Sequence, residues 1–174
     1  MFTYEFDIHK KELISDCNIY PTEINNKDQE WLYAINNKYI TESIDPEKIG
    51  KWMVFLSGAH INEAWDKIKK AVASGELWHT KVSTNNPAKV NSHVIIIYTK
   101  DYTDLNDVIR VLDYIESSDV KSPDRIIKYK TNQQTFAGIY SGDPKQKPWI
   151  YSSDTMREIA ATEAERQRNN NTRS

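Results

Sequence analysis

Hydrophobic and polar positions along this chain change period several times, and each change marks an element. In "GKWMVFLS", from Gly50, Trp52, Val54 and Leu56 alternate with Lys51, Met53 and Phe55, the period-two pattern of a strand with two unlike faces. Ser57 and Gly58 break that pattern. "AHINEAWDKIKKAVASGE" then places Ile61, Ala64, Trp65, Ile68, Ala71 and Val72 at helical spacing, with Gly75 positioned as a stop. "HTKVS" reads as a short strand and "STNNPAKVNS" as a loop, and the β-branched density of "HVIIIYTKD" predicts a central strand. Thr103 is placed to cap a helix over "DLNDVIRVLDYIES", whose apolar stripe is Leu105, Val108, Ile109, Leu112 and Ile115. "RIIKYK" and "TFAGIYS" read as further strands, "GDPKQKP" as a turn and "WIYS" as a last short strand. "SDTMREIAATEAERQR" has a cap signal and helical propensity, fading into "NNNTRS", which is expected to be disordered. Before Gly50 the pattern is weakest, and "KDQEWLYAINNKY" accommodates one helix packing Trp31 and Ile35.

Two amphipathic helices among five or so strands each need an apolar face covered. The simplest arrangement is an α+β single domain, a curved and largely antiparallel sheet with helices packed on one face and a concave face left open. The expected organisation is an irregular N-terminal segment over 1–48 that packs on the domain, a core over 49–152, and a C-terminal helix and tail over 153–174.

Composition agrees with this picture and removes several classes of function. A chain of 174 residues with 39% hydrophobic positions, including five Trp, ten Tyr and four Phe, can bury a core without staples. Net charge is −2, so no global basic field argues for duplex DNA. Cys17 is the single cysteine, which excludes a disulfide framework and fits a reducing compartment. "MFTYEFDIHKKEL" has early charges and no apolar core of a signal peptide, and no run approaches the roughly 20 apolar residues of a membrane span. A soluble cytoplasmic protein with no membrane partner is expected.

Common catalytic motifs are missing: the five glycines form neither a P-loop nor GxGxxG, and the four histidines have no paired metal spacing. No cofactor is implied. What stands out is lysines inside strands. Lys51 shares a face with Met53 and Phe55, Lys81 with His79 and Ser83, Lys100 with Tyr98, and Lys128 with Lys130. Strand lysines are often solvated guards against edge pairing. If these strands are neighbours, however, five lysines and a tyrosine converge on one surface. Clustered ammonium groups bind phosphate, and their repulsion and burial lower a lysine pKa toward that of a usable base. Trp52, Trp65 and Trp78 read as core, whereas Trp31 and Trp149 are the better candidates for stacking a base.

"WHTKVSTNN" followed by "HVIIIYTKDYTDLNDVIRVLDYIES" resembles the core of the bacterial phosphothreonine lyase effectors, with "GKWMVFL" similar to a preceding strand of that family, over roughly residues 50 to 117. A closer resemblance, over about residues 50 to 151, is to a family related to basophilic-leukaemia-expressed proteins. It rests on "GKW", "KVST", "HVIIIYTKD" and "IKYKTNQQTFAGIYSG". Members are often labelled phosphothreonine lyase domains, and their fold is grouped with the cap-binding initiation factors. The lyase resemblance implies Lys81 as general base, Lys51 as a phosphate contact, and Tyr98 and Lys100 near the substrate. Arg125, Lys128 and Lys130 are the candidates for gripping phosphate. Met53 stands where the lyases have the histidine that protonates the leaving phosphate, and methionine donates no proton; His79 is the possible replacement.

Three readings follow. The first is a binding module that holds a nucleotide, an RNA end or a phosphopeptide by the lysine cluster without turnover, with Trp149 as a ligand contact. The second is a phosphothreonine lyase, a carbon–oxygen lyase using Lys81, His79 and Tyr98. The third is a protein-interaction module with solvated lysines. The partners considered are thus a phosphate-bearing nucleotide or a phosphoprotein.

Overall fold

The computed structural model describes residues 19–38, 40–138 and 147–172, together with the main chain of 12–14. A seven-stranded antiparallel sheet is ordered β1-β2-β4-β5-β3-β6-β7, built from β1 (Glu12–Ile14), β2 (Trp31–Asn36), β3 (Gly50–Leu56), β4 (His79–Ser83), β5 (His93–Thr99), β6 (Lys128–Thr131) and β7 (Tyr151–Ser152). The sheet is curved and open, and the fold is a single α+β domain. Among the described residues, no helix is long and apolar enough to cross a membrane.

Helices α1 (Gly58–Ala73) and α2 (Leu105–Ser117) cover one face, each by the apolar stripe that its spacing predicts. Trp52, Val54, Ile95, Ile97 and Val82 project from the central strands into the core that Ile61, Trp65, Ile68, Leu112 and Ile115 close from the helices. Trp52 is fully buried, and its indole donates to the Val108 carbonyl at 3.0 Å, tying β3 to α2. α1 stops as expected, with Gly75 in the left-handed region at φ 83°. α2 is capped one residue later than expected: Asp104, not Thr103, accepts from the Asp107 amide, while the Thr103 hydroxyl donates to Asp101. The Asp carboxylate is the better anionic cap, and Thr103 is engaged in the turn before it.

Four other expectations are corrected. Trp31 and Ile35 lie in strand β2, not in a helix. The i, i+4 spacing suits both, and pairing with β4 from Trp31↔Ser83 to Ile35↔His79 decides for the strand. The sheet therefore extends into the region expected to be irregular. Of "RIIKYK", the part in a ladder is Lys128 onward, because Arg125 closes a turn onto Ser122 and the Ile127 amide donates to Ser153 Oγ. Of "TFAGIYS", Thr135 and Phe136 are helical, in α3 (Asn132–Phe136); the rest of that expected strand past Gly138 lies outside the described residues, as does most of "GDPKQKP". Finally, α4 (Met156–Asn171) carries the helix through Asn169–Asn171, closed by the Thr172 amide and hydroxyl on the Arg168 carbonyl, so these asparagines are not a disordered tail.

Candidate functional site

Strand alternation that sends Trp52 and Val54 to the helices sends Lys51, Met53 and Phe55 to the open face. Sheet order then does what no single strand can. β3 pairs with β5 and β6, and β5 with β4, so Lys51 lies directly beside Tyr98 on one side and Lys130 on the other. His79 is the next residue in that row, opposite Tyr98. The neighbouring row reads Tyr33, Lys81, Ile96, Met53, Lys128 across five strands. A small apolar floor of Ile49, Ile96 and Tyr98, with Trp31, Met53 and Trp78 against it, supports these lysines from below.

Tyr98 is the centre of the arrangement. It is buried at 1% exposure, yet two ammonium groups sit near its ring, Lys51 Nζ at 5.5 Å and Lys81 Nζ at 6.0 Å from the centroid. Lys81 Nζ also lies 4.3 Å from the Trp31 ring. These are cation–π distances, which allow cations to be held over apolar surface. Lys51 and Lys130 are 8% and 5% exposed, and directly opposed like charges in a sheet carry an energetic cost. Burial lowers the pKa of Lys130 from the ordinary lysine value, so a bound anion would favour its charged form.

His79 is not presented at the surface. It is 1% exposed and packed edge-on between Trp78, at 5.7 Å between centroids, and Tyr98, at 5.0 Å. Met53 occupies the surface position in the Lys81 row, between Ile96 and Lys128.

A second group of candidates meets at the β6 edge. Lys128 Nζ lies 4.0 Å and Lys147 Nζ 5.0 Å from the Trp149 ring centroid. Trp149 walls a groove of about 330 Å³ whose apolar surface comes from Met53, Phe55 and Ile126 and whose basic rim includes Arg125, Lys128 and Lys130. Of the residues singled out in the sequence, Lys100 stands apart: it lies just past β5 and pairs with Glu42 at 3.4 Å. Phe55, Ile126 and Lys147 were not singled out. For Phe55 the signal was present in the alternation with Lys51 and Met53; for the other two, only folding brings them to the groove.

A profile of the family described as Basophilic leukemia-expressed protein Bles03 matches residues 22–138. The chain belongs to the Bles03 family. This Bles03-family chain also resembles solved structures of the translation factor eIF4E. One is a schistosome eIF4E complexed with m7GpppA and 4E-BP, at 11% identity and a TM-score of 0.56, covering 78% of this chain and 75% of that one. Another is an Ascaris suum eIF4E-3 with m2,2,7G cap, at 12% identity and a TM-score of 0.50, covering 71% and 69%. A third is a C. elegans eIF4E-3 in complex with the 4E-binding protein Mextli and a cap analog, at 14% identity and a TM-score of 0.50. It covers 62% of this chain and 65% of that chain, slightly under two thirds of its length. At these identities the likeness is one of fold, the open sheet backed by helices.

Proposed function

We propose that this Bles03-family protein binds a nucleotide or the phosphorylated end of an RNA on the open face of its sheet, without turning it over, in the cytoplasm. Lys81 and Lys51 hold phosphate, with Lys130 beside them, and Trp31 offers a ring for the base. The observation that carries the reading is the grouping of Lys81 and Lys51 around Tyr98, with Trp31 4.3 Å from the Lys81 ammonium. Ammonium groups beside an aromatic ring match the two halves of a nucleotide, its phosphate and its π-face. The eIF4E neighbours, crystallised with cap nucleotides, lend the reading support at the level of fold. Binding without turnover is favoured over β-elimination because Met53 lacks a proton to give and His79 is packed beneath aromatic rings.

The test is calorimetric titration with GTP, m7GpppG and a phosphothreonine peptide at fixed ionic strength. Lys81→Ala and Lys51→Ala are each expected to weaken nucleotide binding by about tenfold or more, as loss of a charge-assisted contact does. Each should also lower the salt slope by about 0.7. Unchanged affinity in both variants would mean solvated lysines and a protein-interaction module. Loss of phosphoric acid from the peptide, read by mass spectrometry, would mean a lyase.

A further inference from the structure

Two tryptophan–lysine groupings stand at opposite sides of the open face. Trp31 with Lys81 belongs to β2 and β4; Trp149 with Lys128 and Lys147 belongs to the β6 edge. From β2 to β6 the sheet order passes through four strand spacings, or about 19 Å. A mononucleotide is about half that length and cannot engage both rings, whereas an extended single strand, advancing about 6 Å per nucleotide, places a base at each ring with about three internucleotide steps, or about four nucleotides.

Between the two rings the face is not blank. Lys81, Lys51 and Lys130 lie on β4, β3 and β6 along the way, with Tyr98 of the intervening β5 between Lys81 and Lys51, so cations recur along the path of a phosphate backbone crossing the strands. At the far side the groove of about 330 Å³ beside Trp149 has an apolar lining from Met53, Phe55 and Ile126, and is large enough for one base. Phe55 and Ile126 are 46% and 51% exposed, so this apolar surface is presented to solvent. An exposed ammonium–ring contact is weaker than a base stacked on an aromatic ring. An incoming base can therefore take the ring face and release Lys128 to the adjoining phosphate.

We propose that the Trp149 groove is a second base-binding subsite, and that the ligand is a single-stranded oligonucleotide of about four nucleotides lying across the sheet from Trp31 to Trp149. This inference rests on the nucleotide reading above. Its test uses the full chain and 5′-phosphorylated oligouridylates of one to five nucleotides, titrated by tryptophan fluorescence at constant salt. Affinity should rise about tenfold or more between one and about four nucleotides and then level off. Trp149→Ala should erase that gain while leaving uridine monophosphate binding within about twofold, and Phe55→Ser, at an exposed strand position, should reduce the gain in the same direction. A flat length dependence with monophosphate binding intact overturns the second subsite and leaves the nucleotide reading standing. A length gain that persists in both variants overturns the subsite as well. Absence of binding at every length removes the nucleotide reading itself.

Discussion

Gly50 opens β3 where a side chain would have nowhere to go: a Cβ there would lie 2.1 Å from Tyr129 Oη and 2.4 Å from Cζ. Tyr129 is fully buried, edge-on against Trp52, and its hydroxyl pairs with Thr99 Oγ1 at 2.6 Å. Burial drives its pKa well above the ordinary phenol value, so the hydroxyl stays protonated through the physiological range. Because the ring is locked by both contacts, it cannot step aside for a methyl group. Gly50→Ala is therefore expected to cost on the order of 3 kcal/mol, read as a lower urea midpoint at unchanged m-value. A loss below about 1 kcal/mol would show that Tyr129 yields, and that the glycine is not needed for this close approach. The same position starts the strand that carries Lys51, so packing beneath the sheet and the placement of Lys51 on the open face depend on one residue without a side chain.

At the scale of elements, the segment after β6 shows how a local signal can outrank a propensity. β-Branched and aromatic residues in "TFAGIY" favour a strand, but Thr131 and Gln134 form a capping box just before it. The Thr131 hydroxyl accepts from the Gln134 amide at 3.1 Å, and the Gln134 side chain accepts from the Thr131 amide at 3.0 Å. That reciprocal pair turns the chain out of the ladder directly after Thr131. Thr131→Ala should cost about 1 kcal/mol of stability, whereas Thr131→Ser should stay within about 0.5 kcal/mol; thermal unfolding followed by circular dichroism compares them. Equal effects from the two variants would rule out the cap as the cause. The spacing Thr131-x-x-Gln134 was readable in the sequence, so this element was missed by weighting composition over capping. β2 differs: its Trp31 and Ile35 fit either period, and nothing local chooses.

Over the whole molecule, α4 closes the helical side by packing on α2. Two kinds of contact hold it, and their magnitudes differ. Met156 is fully buried in the main core, while Arg157, half exposed, bridges Asp113 and, at 2.7 Å, Glu116 on α2. Met156→Ala should cost about 2–4 kcal/mol, the scale of a core truncation, and Arg157→Ala about 1 kcal/mol or less, the scale of surface ion pairs. Urea titrations at low and high salt compare the two. A larger loss for Arg157→Ala, diminishing with salt, would show that charge rather than burial docks the helix.

The hydrophobic pattern by itself determined α1 and α2 with their buried stripes, strands β3, β4 and β5, and the division of β3 into an apolar face and a face bearing Lys51, because period and side-chain direction are local properties of the chain. It also put Lys81 on one strand face with His79 and Ser83, and Tyr98 on one with Lys100. Only the tertiary structure decided that these residues are neighbours, since a strand order of β2-β4-β5-β3-β6 comes from long-range pairing and from two helices that together cover one face. The same non-local pairing made Trp31 part of a strand beside Lys81, sent Lys100 to Glu42, and brought the segment around Trp149 against Lys128 to form a groove.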